Sequence, residues 1–181
     1  MREDLIVAII KDNHLSSNNE LKGIHRLYLN QAGDDLLRDS KGKRIKRMLS
    51  YGDGLAGGSV CVYKGVKDYA ILCEGIETAV AISYYRNYDS EYIVPKEFKE
   101  ASIYCGLSAD HMRSVNLGET NILILGDAGD VGLDAARKTK EHLKNNNPNA
   151  VIDIKISESS DFLDDYLTLF KVEDYEEQTV L

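Results

Sequence analysis

Two short apolar runs, Tyr69-Ala-Ile-Leu-Cys73 and Asn121-Ile-Leu-Ile-Leu125, each stop at an acid set among small residues. Glu74 precedes Gly75, and Asp127 stands between Gly126 and Ala128-Gly129. Apolar runs of this length without alternation read as strands buried on both faces. The first leads into Ile76 to Tyr88, with Ile76, Val80 and Tyr84 near helical spacing. The second leads into a helix from Val131 to Lys144 that carries Leu133, Ala136 and Leu143 and stops at Asn145-Asn-Asn-Pro148. Ala101 to Cys105 makes a further strand, after which Ser108 can cap a short helix reaching Val115. Val151 to Ile156 alternates like an edge strand and is followed by helical Asp161 to Phe170. Strand-then-helix units in series predict an α/β domain built on a parallel sheet of about four strands flanked by helices. Because parallel strands point one way, residues just past their ends gather along one edge, where such sheets hold their sites. Glu74 and Asp127 are therefore expected side by side.

The first third follows a different pattern. Lys22-Gly-Ile-His-Arg-Leu-Tyr-Leu-Asn30 is rich in strand formers and runs into the turn chemistry of Asn30-Gln-Ala-Gly-Asp34. Within this region only Asp4 to Lys11 has a helical reading. Gly52-Asp-Gly-Leu-Ala-Gly57 fits Gly-x-Gly-x-x-Gly, yet it precedes a strand, Ser59 to Tyr63, instead of joining a strand to a helix, so it reads as a linker. The expected organisation is a β-rich basic subdomain over 1–68, the α/β domain over 69–170 and an acidic, frayed tail over 171–181.

Charge is unevenly spread. The chain carries 22 Lys+Arg and 30 Asp+Glu, a formal charge of −8. From Lys22 to Arg47, however, the balance is +5, while from Ser157 to Leu181 it is −7. A nucleic-acid track on such a molecule is confined to the basic region, where His25, Arg26, Lys43, Arg44, Lys46 and Arg47 are the candidate phosphate contacts; a solvated basic face is the alternative. No apolar run approaches the roughly 18 residues of a membrane span, and the start lacks a signal-peptide pattern, so a cytoplasmic protein is expected. Cys61, Cys73 and Cys105 lie far apart in apolar runs and read as three reduced core thiols. His14, His111 and His142 have no partners at ligand spacing and read as surface residues, and Tyr84, Tyr85 and Tyr88 read as helix packing. The absence of Gly-x-x-x-x-Gly-Lys-Ser/Thr excludes a P-loop motor in this chain.

Clustered carboxylates without nearby Cys or His ligands suit a hard, oxygen-seeking cation, Mg²⁺ or Mn²⁺. A third acidic group, Ser160-Asp161-Phe-Leu-Asp164-Asp165, follows the last strand and falls near the same edge. Such a metal face suits phosphate chemistry. The alternative is that each acid only complements the N-terminus of the helix it precedes, a reading that also covers Glu77 and Thr78.

Cys73-Glu-Gly-Ile-Glu-Thr-Ala79, followed by Leu123-Ile-Leu-Gly-Asp-Ala-Gly-Asp-Val-Gly-Leu-Asp-Ala-Ala136, resembles the Toprim domain of bacterial-type primases, topoisomerases and certain nucleases. In order, Gly23 to Leu29, Lys43-Arg-Ile-Lys-Arg-Met-Leu49, the glycine link, these two blocks and Asp161-Phe-Leu-Asp164 are similar to the primase-like Toprim proteins of phages, plasmids and other mobile elements. The resemblance covers residues 21 to 167. It implies a Rossmann-like sheet, Glu74 and Asp127 as catalytic residues and as ligands of Mg²⁺ or Mn²⁺, and DNA or RNA and nucleotides as ligands. It also implies a helicase or other replication partner. The second aspartate of the family's Asp-x-Asp falls at position 129, which is Gly129 here, so Asp130 or Asp161 must complete the ligand set if the ion is held. The function expected is metal-dependent nucleotidyl transfer of the primase kind. A Toprim-type nuclease and a non-catalytic binding remnant are the alternatives, while a topoisomerase lacks both a nucleophilic tyrosine context and sufficient chain.

Overall fold

The computed structural model describes residues 5–13, 20–32, 36–52, 54–66, 68–86 and 93–177, with backbone alone for Leu5 and 170–177. His14, Asp34, Asp35, Tyr88 and residues 178–181 lie outside the described residues.

The chain opens with three strands, β1 (Leu5–Lys11), β2 (Leu21–Tyr28) and β3 (Lys46–Ser50), which form an antiparallel sheet in that order. The helical reading of Asp4 to Lys11 is thus overturned: Leu5 to Lys11 is a strand. The cause lies in its side chains, since Ile6, Val7, Ile9 and Ile10 are β-branched, stiff at χ1 and well suited to a pleated surface. Their register with β2, from Leu5 opposite Tyr28 to Ile10 opposite Gly23, then fixes them.

The remaining elements build the α/β body. Strand β4 (Val60–Tyr63) leads to β5 (Tyr69–Cys73), helix α1 (Ile76–Tyr85), β6 (Ser102–Cys105), the short α2 (Ala109–Met112), β7 (Asn121–Gly126), α3 (Asp130–Asn146), β8 (Val151–Ile156) and α4 (Phe162–Glu177). The sheet order is β4-β6-β5-β7-β8. Four strands are parallel, as the sequence pattern predicts, and β4 joins antiparallel to β6 as a fifth at one edge. Ser108 caps α2 by accepting from His111 N, and β8 takes the other edge. Helix α4 runs beyond Phe170 to Glu177.

Both faces of this sheet are covered. Ile71, Cys73, Ile103, Leu123 and Leu125 face a core closed by α1 and α4 through Ala79, Ile82, Phe162 and Tyr166. Alternate residues Ala70, Leu72, Tyr104, Ile122 and Ile124 face Met112, Ala135, Ala136 and Leu143. This double coverage explains the continuous apolar runs of β5 and β7, because the alternation of a strand puts consecutive side chains on opposite faces, each here covered by helices. The two sheets meet where Lys11 and Ser59 exchange backbone hydrogen bonds of 3.0 and 2.8 Å.

Three expectations change at this level. Cys61 is exposed, so only Cys73 and Cys105 are core thiols; Cys61 sits on the edge strand β4, where one side has no covering layer. His111 and His142 are half-buried instead of free at the surface. The first lies 2.9 Å from the Gly58 carbonyl and the second 3.0 Å from Asn116 Oδ1. Tyr85 stacks on Tyr166 with centroids 5.5 Å apart, as helix packing predicts, whereas Tyr84 is exposed.

Candidate active site at the acidic edge

Strands β5 and β7 are neighbours, with Cys73 opposite Leu125. Glu74 and Asp127 therefore leave the same edge of the sheet, one and two residues beyond that pair. Their loops are braced from below. Gly106 N donates to Cys73 O at 2.9 Å, and the Cys105 thiol donates to Glu74 O at 3.1 Å. Burial pushes the Cys105 thiol up to about 12 and that of Cys73 well above its ordinary value, so both remain protonated supports.

On the other side, Ser157 N donates to Gly126 O and Ala128 N donates to Ser160 O. These bonds tie the Asp127 loop to the turn that opens α4. Asp165 organises that turn: one oxygen accepts from Ser157 Oγ at 2.8 Å and the other from Ser159 N at 2.8 Å. Although burial opposes its charge, these bonds hold the Asp165 carboxyl below the usual range. Asp161 accepts from Asp164 N at 3.0 Å and caps α4, while Asp164 accepts from Ser160 Oγ.

Asp127 is the perturbed group of the edge. Burial, the charges of Glu74 and Asp161, and a hydrogen bond shared with Glu74 together push its carboxyl up to about 7. Glu74 and Asp161 thus both act on Asp127 through their charges. Asp130 instead lies exposed in the first turn of α3 and is not among the charges acting on Asp127. Of the two residues considered as replacements for an acid at position 129, Asp161 and not Asp130 is among the charges that act on Asp127.

Gly129 also has a local reason. Its φ of 88° and ψ of 175° fall in a region populated essentially by glycine alone. Gly132 is required by proximity, because a Cβ there would lie 2.1 Å from the Asp127 carbonyl oxygen.

Among the described residues, no three His, Cys, Asp or Glu side chains are already arranged as a ligand cage. The chemistry of the donors still suits a hard divalent cation: Asp127, raised by burial and by the charges of Glu74 and Asp161, is an oxygen donor whose ionised form a nearby cation would favour.

The basic candidates divide between the faces of the N-terminal sheet. Lys46 and Arg44 reach Glu77 Oε1 at 3.1 and 3.5 Å, beside the acidic edge. Burial opposes the charge of Glu77, but its backbone hydrogen bond, Lys46 and Arg44 hold it below the ordinary value. Lys43 is exposed in the preceding turn, where its backbone N–H donates to Asp39 Oδ1 at 2.9 Å. His25 is buried beneath that sheet, with its pKa lowered by burial and by Lys46, which leaves it neutral. Arg26 and Arg47 stand opposite each other in the register of β2 and β3, on the face turned away from His25.

Glu77 and Asp165 gain specific roles here that their sequence positions did not distinguish from helix capping. No sequence signal separated Asp165 from Asp164, since only the folded turn brings the Ser157 and Ser159 donors to it.

Residues 69–168, more than half of the chain, match the Toprim domain family. The chain belongs to the Toprim family. Toprim domains generally bind divalent metal ions. Among solved structures, the Toprim chain is similar to the primase fragment of the bacteriophage T7 primase-helicase protein, with 13% identity and a TM-score of 0.53. That match covers 95% of this chain but 61% of the fragment, so the chain spans about three-fifths of the neighbour's length. A DNA primase domain from Pseudomonas aeruginosa aligns at 16% identity and a TM-score of 0.39, covering 82% of this Toprim chain and 49% of that one. No curated protein matches the sequence. Among the described residues no helix is long and apolar enough to cross a membrane.

Proposed function

We propose that this Toprim protein carries out metal-dependent nucleotidyl transfer of the primase kind on a nucleic-acid strand, in the cytoplasm and in the replication of a mobile element. The observation that carries the reading is the placement of Glu74 and Asp127 just beyond the paired ends of neighbouring strands β5 and β7, at the edge where Lys46 and Arg44 pair with Glu77. The T7 neighbour, a primase fragment of a primase-helicase by its name, supports the choice of chemistry and a helicase-type partner.

Glu74, Asp127 and Asp161 are the residues that would hold Mg²⁺ or Mn²⁺. When bound, the ion would neutralise phosphate oxygens and stabilise charge that develops at the reacting phosphorus. Glu74, one residue beyond the end of β5 and at the same edge as Asp127, is the carboxylate placed to take a proton from an attacking hydroxyl. Lys43, Arg44 and Lys46 would hold the strand by its phosphates, which makes binding salt-dependent and largely independent of sequence. Glu77 limits where Lys46 and Arg44 can reach and so orients them at the edge.

The test is an end-labelled single strand incubated with nucleoside triphosphates and Mg²⁺ or Mn²⁺, wild type beside Glu74→Gln. Metal-dependent lengthening that the variant lacks is the expected result. Shortening would replace synthesis by cleavage on the same acids. An unchanged strand, with a helicase-type partner added as well, would favour a non-catalytic binding remnant, the reading to which Gly129 points.

A further inference from the structure

The outer face of the N-terminal sheet has no role in the chemistry above, and its composition is unusual for a free surface. Strand alternation and register define it. Ala8, Ile10, His25 and Leu27 are buried on the inner side. The opposite side presents one row of Val7, Arg26 and Arg47 and a second of Ile9, Ile24 and Leu49. Val7, Ile9 and Leu49 are 50%, 54% and 48% exposed. The apolar surface continues past Val7 and Ile9 into a groove of about 450 Å³ between β1 and β4, lined also by Val60, Val62 and Val80.

Two guanidiniums directly opposite each other repel, a destabilising arrangement on an open sheet. Among the described residues neither has a carboxylate partner. Arg26 Nε is shielded from solvent without a hydrogen-bond partner, and its guanidinium lies 6.0 Å from the Tyr28 ring. A ligand for this face must bring carboxylates to the arginines and apolar side chains to the valine and isoleucine rows.

The chain itself contains such a segment. Lys171-Val-Glu-Asp-Tyr-Glu-Glu-Gln-Thr-Val-Leu181 interleaves Glu173, Asp174, Glu176 and Glu177 with Val172, Tyr175, Val180 and Leu181, and has one lysine. The first turns of α4, through Phe162 and Tyr166, belong to the same core as Ile10 and Leu27 beneath the inner face.

We propose that the outer face of the N-terminal sheet docks the acidic C-terminal segment of a second copy of this chain. The surfaces are different, so the contact is head-to-tail and propagates into a ring or an open chain. Attraction between Arg26 and Arg47 and a segment that carries four acids against one lysine makes it sensitive to salt.

The test is sedimentation of the full chain over a wide concentration range at low and high salt. Concentration-dependent association that weakens about tenfold or more at high salt is expected. Arg26→Glu with Arg47→Glu should remain monomeric. So should Glu173→Lys with Asp174→Lys, Glu176→Lys and Glu177→Lys. Mixing the two charge-reversed proteins should restore association, because the reversed face then meets a reversed segment. Circular dichroism and thermal unfolding of each variant establish that it is folded. A wild type that stays monomeric throughout, charge-reversed proteins that still associate alone, or folded variants that fail to associate when mixed would each overturn the proposal. So would a monomeric wild type whose single-strand affinity falls on Arg26→Glu and Arg47→Glu, which would assign the face to nucleic acid.

Discussion

The two sheets of this protein solve opposite problems. In the five-stranded sheet, Ile71, Leu72, Ile103 and Ile124 are wholly buried, and helices cover both faces. In the three-stranded sheet Ala8, Ile10, His25 and Leu27 are buried on one face, while Val7, Ile9 and Leu49 on the other stay about half exposed. The first sheet acts as a rigid frame that holds acids at its edge. The second brings basic groups to that edge on one face and leaves apolar and arginine rows free on the other. Rigidity is spent where carboxyls must be held against mutual repulsion, and exposure is retained where a partner can bind.

The largest test of this contrast is chemical. Glu74→Gln is expected to lower metal-dependent activity by about 10²-fold to 10⁴-fold, the range for loss of a positioned proton-transfer group. Charge-neutral changes on the outer face, such as Ile9→Ala, should leave the rate of the chemical step unaltered in a single-turnover assay.

Next comes packing. Ile71→Ala removes a fully buried side chain and should cost about 2–5 kcal/mol in denaturant unfolding. At a protein concentration low enough for the chain to be monomeric, Ile9→Ala on the half-exposed row should fall within about 0.5 kcal/mol of wild type. Equal costs for the two would mean that the outer face is covered in solution.

A third test concerns the glycine of the acidic loop. Gly129→Asp would restore the Asp-x-Asp spacing but force an aspartate into a conformation suited to glycine. A loss of about 1–3 kcal/mol in thermal unfolding is expected. A variant as stable as wild type would show that the loop relaxes readily.

pH supplies a smaller effect with a defined sign. Asp127 has its folded-state pKa raised from 3.8 to about 7, so between these values the folded protein binds more protons than the unfolded chain. Metal-free stability should therefore decline as pH rises from about 4 to about 7 and level off above. Solvent screening at this half-exposed site reduces the span to about 1 kcal/mol. Asp127→Asn should remove that slope and unfold at a higher temperature than wild type without metal, while losing the stabilisation that Mg²⁺ or Mn²⁺ gives the wild type. Asp165 has the opposite sign. Its lowered carboxyl contributes stability above the unfolded value of 3.8, lost as pH falls through the folded one.

The smallest effect is expected at Glu77. Its ion pairs with Lys46 and Arg44 are partly exposed, so Glu77→Gln should change stability by less than about 1 kcal/mol. A measurable change in the salt dependence of single-strand binding is expected, since the two basic groups are then released.

Much of the frame was legible in the sequence because buried parallel strands leave an unambiguous pattern. The apolar runs ending at Cys73 and Leu125, the alternation of Val151 to Ile156, and the stop at Asn145-Asn-Asn-Pro148 each reflect a local rule. The opening strand was harder to read. Leu5 to Lys11 is short and apolar throughout, so its periodicity separates helix from strand poorly until β2 supplies a partner. Exposure of Cys61 likewise follows from β4 being an edge strand, which its own residues do not specify.

By itself the sequence determined the chemistry available, with acids at the ends of buried strands, glycines beside them and basic and acidic regions far apart along the chain. These follow from residue type and spacing, which act over a few positions. Only the tertiary structure decided that Asp161, rather than Asp130, crowds Asp127, that Lys46 and Arg44 meet Glu77, and that Arg26 and Arg47 look away from them. Those outcomes depend on strand order and on which face of a sheet is buried. Both are set by packing between segments tens of residues apart, where no local pattern reaches.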